Sequence, residues 1–135
     1  MLFRSAGLSQ KGWLLGLLQG LQVDFVVLAG WLKMIPEEVV SAYPNALVNI
    51  HPALLPNFGG HGMYGMKVHE AVKKSGALTS GISIHWVDEQ YDNGALIEQH
   101  SVELSPEDQP EDIAQKVHQL EYVHYPKAIE RLLGI

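Results

Sequence analysis

Apolar positions along this chain switch between a helical and an extended period. Leu14, Leu15, Leu17, Leu18 and Leu21 recur at helical spacing, and Ser9 is placed to cap the helix they predict. Residues 23–29 (VDFVVLA) form an apolar run that ends at Gly30. Such a run predicts a strand buried on both faces, the habit of parallel sheets in α/β domains. Pro36, Glu37 and Glu38 open a short helix, with proline in the first turn and acid facing the positive end of the dipole.

Residues 46–50 (ALVNI) predict a second strand, running into His51-Pro52. Between Pro52 and Gly65, Pro56, Gly59, Gly60 and Gly62 predict a loop that folds over something or moves. Residues 68–74 read as a helix. Over 82–87, Ile82, Ile84 and Trp86 alternate with Ser83, His85 and Val87. A turn-rich stretch at 88–94 follows, and 95–102 return as another strand, so the two predict an antiparallel pair. Pro110, Glu111 and Asp112 start a long helix, which Pro126 is expected to kink or restart near Tyr125.

The order helix, strand, helix, strand, helix, strand, strand, helix points to an α/β or α+β fold. With 135 residues the chain is expected to form one domain over 1–135. A buried parallel strand at 23–29 needs neighbours on both edges, and few strands remain to supply them.

Composition narrows the function. A net charge of −6 gives no general field for attracting nucleic acid or anionic membrane. The absence of cysteine excludes disulfides, thiolate metal sites and cysteine nucleophiles, and fits a reducing, cytoplasmic setting. Lys11 and Gln19 interrupt the leucines, so neither a signal peptide nor a membrane span is expected.

Asn49 and His51 lie two apart at a strand end, sharing one face with Cα atoms about 6.6 Å apart. Strand ends that run into loops are where open α/β sheets place ligand chemistry. An amide donor beside an imidazole suits attack on a carbonyl, one stabilising an oxyanion and the other supplying a proton. Equally, Asn49 can cap a turn and His51 be a partly buried loop residue; N-x-H-P alone favours this plainer assignment. Asp92, followed by Asn93 and Gly94, is either ordinary turn chemistry or a carboxylate that raises the pKa of His51.

The seven histidines show no compact metal-ligand spacing, so no metal is expected. His69 and His118 read as helix-surface residues. His85 shares a strand face with Ser83 and can point towards Asn49, although a satisfied structural histidine is the more common case. The glycines at 59–65 match neither dinucleotide nor Walker patterns.

Taken in order, D-F-V-V-L-A-G-W-L-K-M-I-P (24–36), N-I-H-P-A-L-L-P (49–56), G-G-H-G-M-Y-G (59–65), S-I-H-W-V-D-E-Q-Y-D-N-G (83–94) and E-Y-V-H-Y-P (121–126) carry far more information than any one segment. From about residue 10 onward the chain resembles the folate-dependent formyltransferases, most nearly the branch that formylates glycinamide ribonucleotide in purine synthesis. The resemblance implies a Rossmann-type, open, mostly parallel sheet with flanking helices and an antiparallel strand pair near the C-terminus.

It also implies a catalytic set of Asn49, His51 and Asp92. In it, the glycinamide amine attacks the formyl carbon of 10-formyltetrahydrofolate. Asn49 holds the formyl oxygen, His51 donates a proton, and Asp92 raises the pKa of His51 and relays protons through water. Leu32, Lys33, Met34 and Ile35 are then folate contacts together with Asn49, and Asp88, Glu89, Gln90, Tyr91 and Asp92 form the other wall of the pterin site. Glu121 contacts the glycinamide substrate. The partners implied are small molecules, without nucleic acid or membrane.

The resemblance has departures. The family's first strand and glycine-rich turn, which hold the substrate phosphate, have no counterpart before Ser9, so the domain is expected to be N-terminally truncated. His61 stands where relatives commonly carry Lys, and Ala95 replaces a frequent Pro. Two alternatives follow: a catalytically impaired, folate-binding or homo-oligomerising fragment, or a formyltetrahydrofolate deformylase of the same fold. Pro52 after His51 argues against the deformylases, which typically read N-x-H-H-S-F-L-P.

Overall fold

The computed structural model describes residues 12–30, 34–88 and 94–135. In chain order these form α1 (Trp13–Gly20), β1 (Val26–Leu28), α2 (Glu37–Ala42), β2 (Leu47–His51), α3 (Met66–Ser75), β3 (Thr79–Trp86), β4 (Leu96–Glu103) and α4 (Pro110–Leu133). The strands build one sheet in the order β1-β2-β3-β4. β1 and β2 are parallel, while β2/β3 and β3/β4 are antiparallel. The open α/β sheet and its C-terminal antiparallel pair are as the sequence predicts, with a smaller parallel share. Ser9 lies outside the described residues.

β2 and β3 occupy the middle of the sheet and are almost wholly buried, whereas β4 alternates between half-buried and exposed positions. Side chains of odd and even number on β2 point to opposite faces. Leu47 joins one apolar cluster with Leu28, Ile35, Val39 and Tyr43, on which the leucines of α1 rest. Ile50 joins the other, with Ile82, Ile84 and residues of α3 and α4. The sheet is thus covered on both faces, and β2 contributes to both cores.

Two local expectations give way. The run at 23–29 forms strand only over Val26–Leu28, and Val27 is 40% exposed, so burial on both faces is not reached. Among the described residues β1 pairs only with β2, which leaves its other side without a ladder. Pro126 does not end or restart α4, which continues as one element to Leu133. The flanking residues Tyr125 and Ala128 are buried, and the Tyr125 hydroxyl donates to the Leu28 carbonyl at 2.6 Å. Pro126 and Tyr122, whose carbonyl loses its helical donor, are both exposed, so water can replace the missing bond.

Candidate active site

The end of β2 carries Asn49 and His51 on one sheet face, and their register partners on β3 are His85 and Ser83. Directly opposed residues of an antiparallel pair share a face, so four polar side chains meet on the most buried part of the sheet. Each has a defined partner. His85 Nδ1 lies 2.9 Å from the Trp86 carbonyl, which can only accept, so Nδ1 carries the hydrogen and Nε2 presents a lone pair. The Asn49 amide nitrogen donates to that lone pair at 3.3 Å. This fixes the carboxamide: one N–H is held by His85, the second is available to a ligand, and Oδ1 is buried without a hydrogen-bond partner among the described residues.

His51 is 3% exposed, and its Nε2 donates to the Phe58 carbonyl at 2.6 Å. Nδ1 is therefore the ring position at which a proton can be gained or lost. Phe58 adopts a positive φ of 57°, which turns its carbonyl back onto the histidine. The loop after His51 is anchored from beneath by Ser83. The Ser83 hydroxyl donates to the Ala53 carbonyl (2.6 Å) and accepts from the Leu55 N–H and the Gln99 amide (both 2.9 Å). Gln99 also donates to the Leu55 carbonyl at 2.9 Å.

Above these residues opens a cavity of about 510 Å³, within the range of small-molecule sites. It brings together Asn49, His51, Met34, Ile35, Asp88 and Glu121 from four separate segments. Leu28 and Val87 add apolar wall suited to a flat heterocycle, and the glycine-rich stretch 60–65 forms one rim. Leu32, Lys33, Glu89, Gln90, Tyr91 and Asp92 lie outside the described residues.

Similarity to known proteins follows the same segments. The profile of the family described as Formyl transferase matches residues 5–129. The chain belongs to the formyl transferase family. It is 49% identical over 125 residues to the chloroplastic phosphoribosylglycinamide formyltransferase of Arabidopsis thaliana, covering 93% of this chain and 42% of that protein. Among solved structures, glycinamide ribonucleotide transformylase 1 of Geobacillus kaustophilus superposes with a TM-score of 0.85 at 32% identity, over 98% of this chain and 70% of that one. A formyltetrahydrofolate deformylase from Pseudomonas syringae pv. tomato gives 0.79 at 27% identity, over 90% and 39%. This formyltransferase-family chain thus spans about two-fifths of its Arabidopsis relative. No helix among the described residues is long and apolar enough to cross a membrane.

Of the two histidines expected on a helix surface, one departs from that expectation. His118 is exposed on α4, as expected, but it also borders the cavity. His69 is not a surface residue: it is 2% exposed and forms part of the cavity wall. Its ring meets His118 edge to face, centroids 6.4 Å apart and planes at 88°. Burial, reinforced by the charges of His118 and His51, lowers its pKa to about 4, so the ring is neutral at physiological pH. The signal was present in the pattern, since His69 lies between Val68 and Val72, the two buried valines of α3.

Proposed function

We propose that this chain transfers the formyl group of 10-formyltetrahydrofolate to the amine of glycinamide ribonucleotide. The observation that carries this is the fixed Asn49 carboxamide, held by His85 beside His51 on the floor of a cavity that Asp88 and Glu121 also reach. Similarity to enzymes named for that activity supports the choice of substrates.

The amine nitrogen attacks the formyl carbon, and the carbonyl electron pair moves onto oxygen. The second N–H of Asn49 donates to that oxyanion, a role typically worth about 10²- to 10³-fold in turnover. Collapse of the tetrahedral species breaks the bond to the folate nitrogen, which takes a proton from His51 through Nδ1. The attacking nitrogen loses one proton, which returns to His51 by way of water and Asp92. One C–N bond forms, one breaks, and one proton moves from amine to folate nitrogen. The apolar wall of Leu28, Met34, Ile35 and Val87 receives the pterin, and Glu121 receives the acceptor. A negative charge at Asp92 favours the imidazolium form of His51.

Turnover of glycinamide ribonucleotide with 10-formyltetrahydrofolate tests this directly. Asn49→Ala and Asp92→Asn should each lose about 10²-fold or more. Full activity in both variants refutes the site. Formate release at the same rate with or without acceptor indicates a deformylase, and folate binding without any turnover indicates an impaired fragment.

A further inference from the structure

His69 is a buried polar group for which the chemistry above has no use. Its Nδ1 is fully buried and has no hydrogen-bond partner among the described residues. Buried ring nitrogens in native structures are ordinarily satisfied, by protein or by something that enters the site. The ring is held in place by its edge-to-face contact with His118 and by burial on α3, and it borders the same cavity as His51 and Glu121.

We infer that His69 contacts the amine-bearing substrate, its ring hydrogen-bonding the uncharged amide of the glycinamide portion on the path between Glu121 and His51. This rests on the proposed function and adds a residue to its acceptor site. Three features select an amide rather than an anion. The ring is uncharged at physiological pH, so it adds no attraction for phosphate or carboxylate. A neutral imidazole offers one donor and one acceptor, which complements the C=O and N–H of an amide. It also places no second positive charge beside His51, whose protonated form the reaction uses.

The experiment is steady-state kinetics on the protein, varying each substrate in turn, with His69→Phe and His69→Asn. Phenylalanine keeps an aromatic face against His118 and removes both nitrogens; asparagine returns a polar atom near the Nδ1 position. His69→Phe is expected to raise KM for glycinamide ribonucleotide about tenfold, the loss of one hydrogen bond to a neutral group. KM for 10-formyltetrahydrofolate and the melting temperature at pH 8 should stay at their wild-type values, and His69→Asn should recover most of the acceptor affinity.

An active wild type with an unchanged acceptor KM in His69→Phe overturns this inference alone. An equal rise for both substrates overturns it too, by marking a general fault of the cavity. A wild type that transfers nothing to the acceptor overturns the proposed function and this inference with it. If His69→Phe does not fold, His69→Asn against His69→Gln decides: equal acceptor KM values refute a contact through Nδ1, whereas a lower value for asparagine supports it.

Discussion

Two serines three residues apart on β3 should respond in opposite ways to the same deletion. Ser83 is fully buried, and its hydroxyl is saturated: it donates to Ala53 and accepts from Leu55 and Gln99. Ser83→Ala removes all three bonds. Gln99 keeps its bond to the Leu55 carbonyl, but the Leu55 N–H is left buried without its acceptor. A stranded buried donor costs about 1–3 kcal/mol, and each further net bond about 1 kcal/mol. Together they predict a loss of about 3 kcal/mol. For 135 residues the entropy of unfolding is about 0.3 kcal/mol per kelvin, so the melting temperature should fall by about 10 °C. Ser80 is just as buried (2% exposed), yet its hydroxyl has no hydrogen-bond partner among the described residues. Ser80→Ala deletes a polar atom that gains nothing from the fold, and should be neutral or stabilising by about 1 kcal/mol. Urea or thermal unfolding followed by circular dichroism measures both. Equal destabilisation by the two variants would show that burial of the site, and not the hydrogen bonds, sets the cost.

Other consequences can be checked as simply. Tyr125→Phe removes the bond from α4 to the Leu28 carbonyl and should lower stability by about 1–2 kcal/mol in chemical denaturation, leaving turnover within about twofold. His85→Phe removes the acceptor that orients Asn49 and should lower kcat about tenfold with little change in either KM, in the same two-substrate assay. For pH, the unfolded chain holds a proton on residue 69 below pH 6.5, while the folded chain, with His118 and His51 facing the ring, holds it only below about 4. Stability therefore rises with pH across that window and is lost on acidification. The loss from this group approaches about 3 kcal/mol at the acid end. Thermal melts of His69→Phe should show that much less acid sensitivity between pH 6.5 and 4; identical profiles would rule out His69 as the cause.

The Asn49 and His51 pair was legible because a strand end followed by a glycine- and proline-rich loop is a local pattern, and period two settles which residues share a face. His85 followed from the same alternation, but its fixed tautomer did not, since that depends on the Trp86 carbonyl turning back towards its own neighbour. Glu121 and Asp88 entered only through likeness to a family; 33 residues separate them, and only the fold brings both to one cavity. The burial of His69 is not legible locally, because a polar residue on a ten-residue helix reads as solvated unless the crossing of a second helix is known. The restart allowed at Pro126 does not occur, for a related reason. The local penalty of proline is real, but packing on either side, at Tyr125 and Ala128, outweighs it.

Gly81 has a consequence for anyone wishing to redesign specificity. A Cβ there would lie 2.1 Å from the His100 carbonyl oxygen and 2.7 Å from the Leu54 side chain. The inner surface of the 53–55 segment is therefore moulded directly onto bare backbone, with Ser83 and Gln99 as its fasteners. Libraries aimed at that surface will return mostly unfolded clones. Diversity belongs instead on the outward side, at exposed positions such as Asn57 and His61, where new side chains can alter what enters without unseating the histidine behind them.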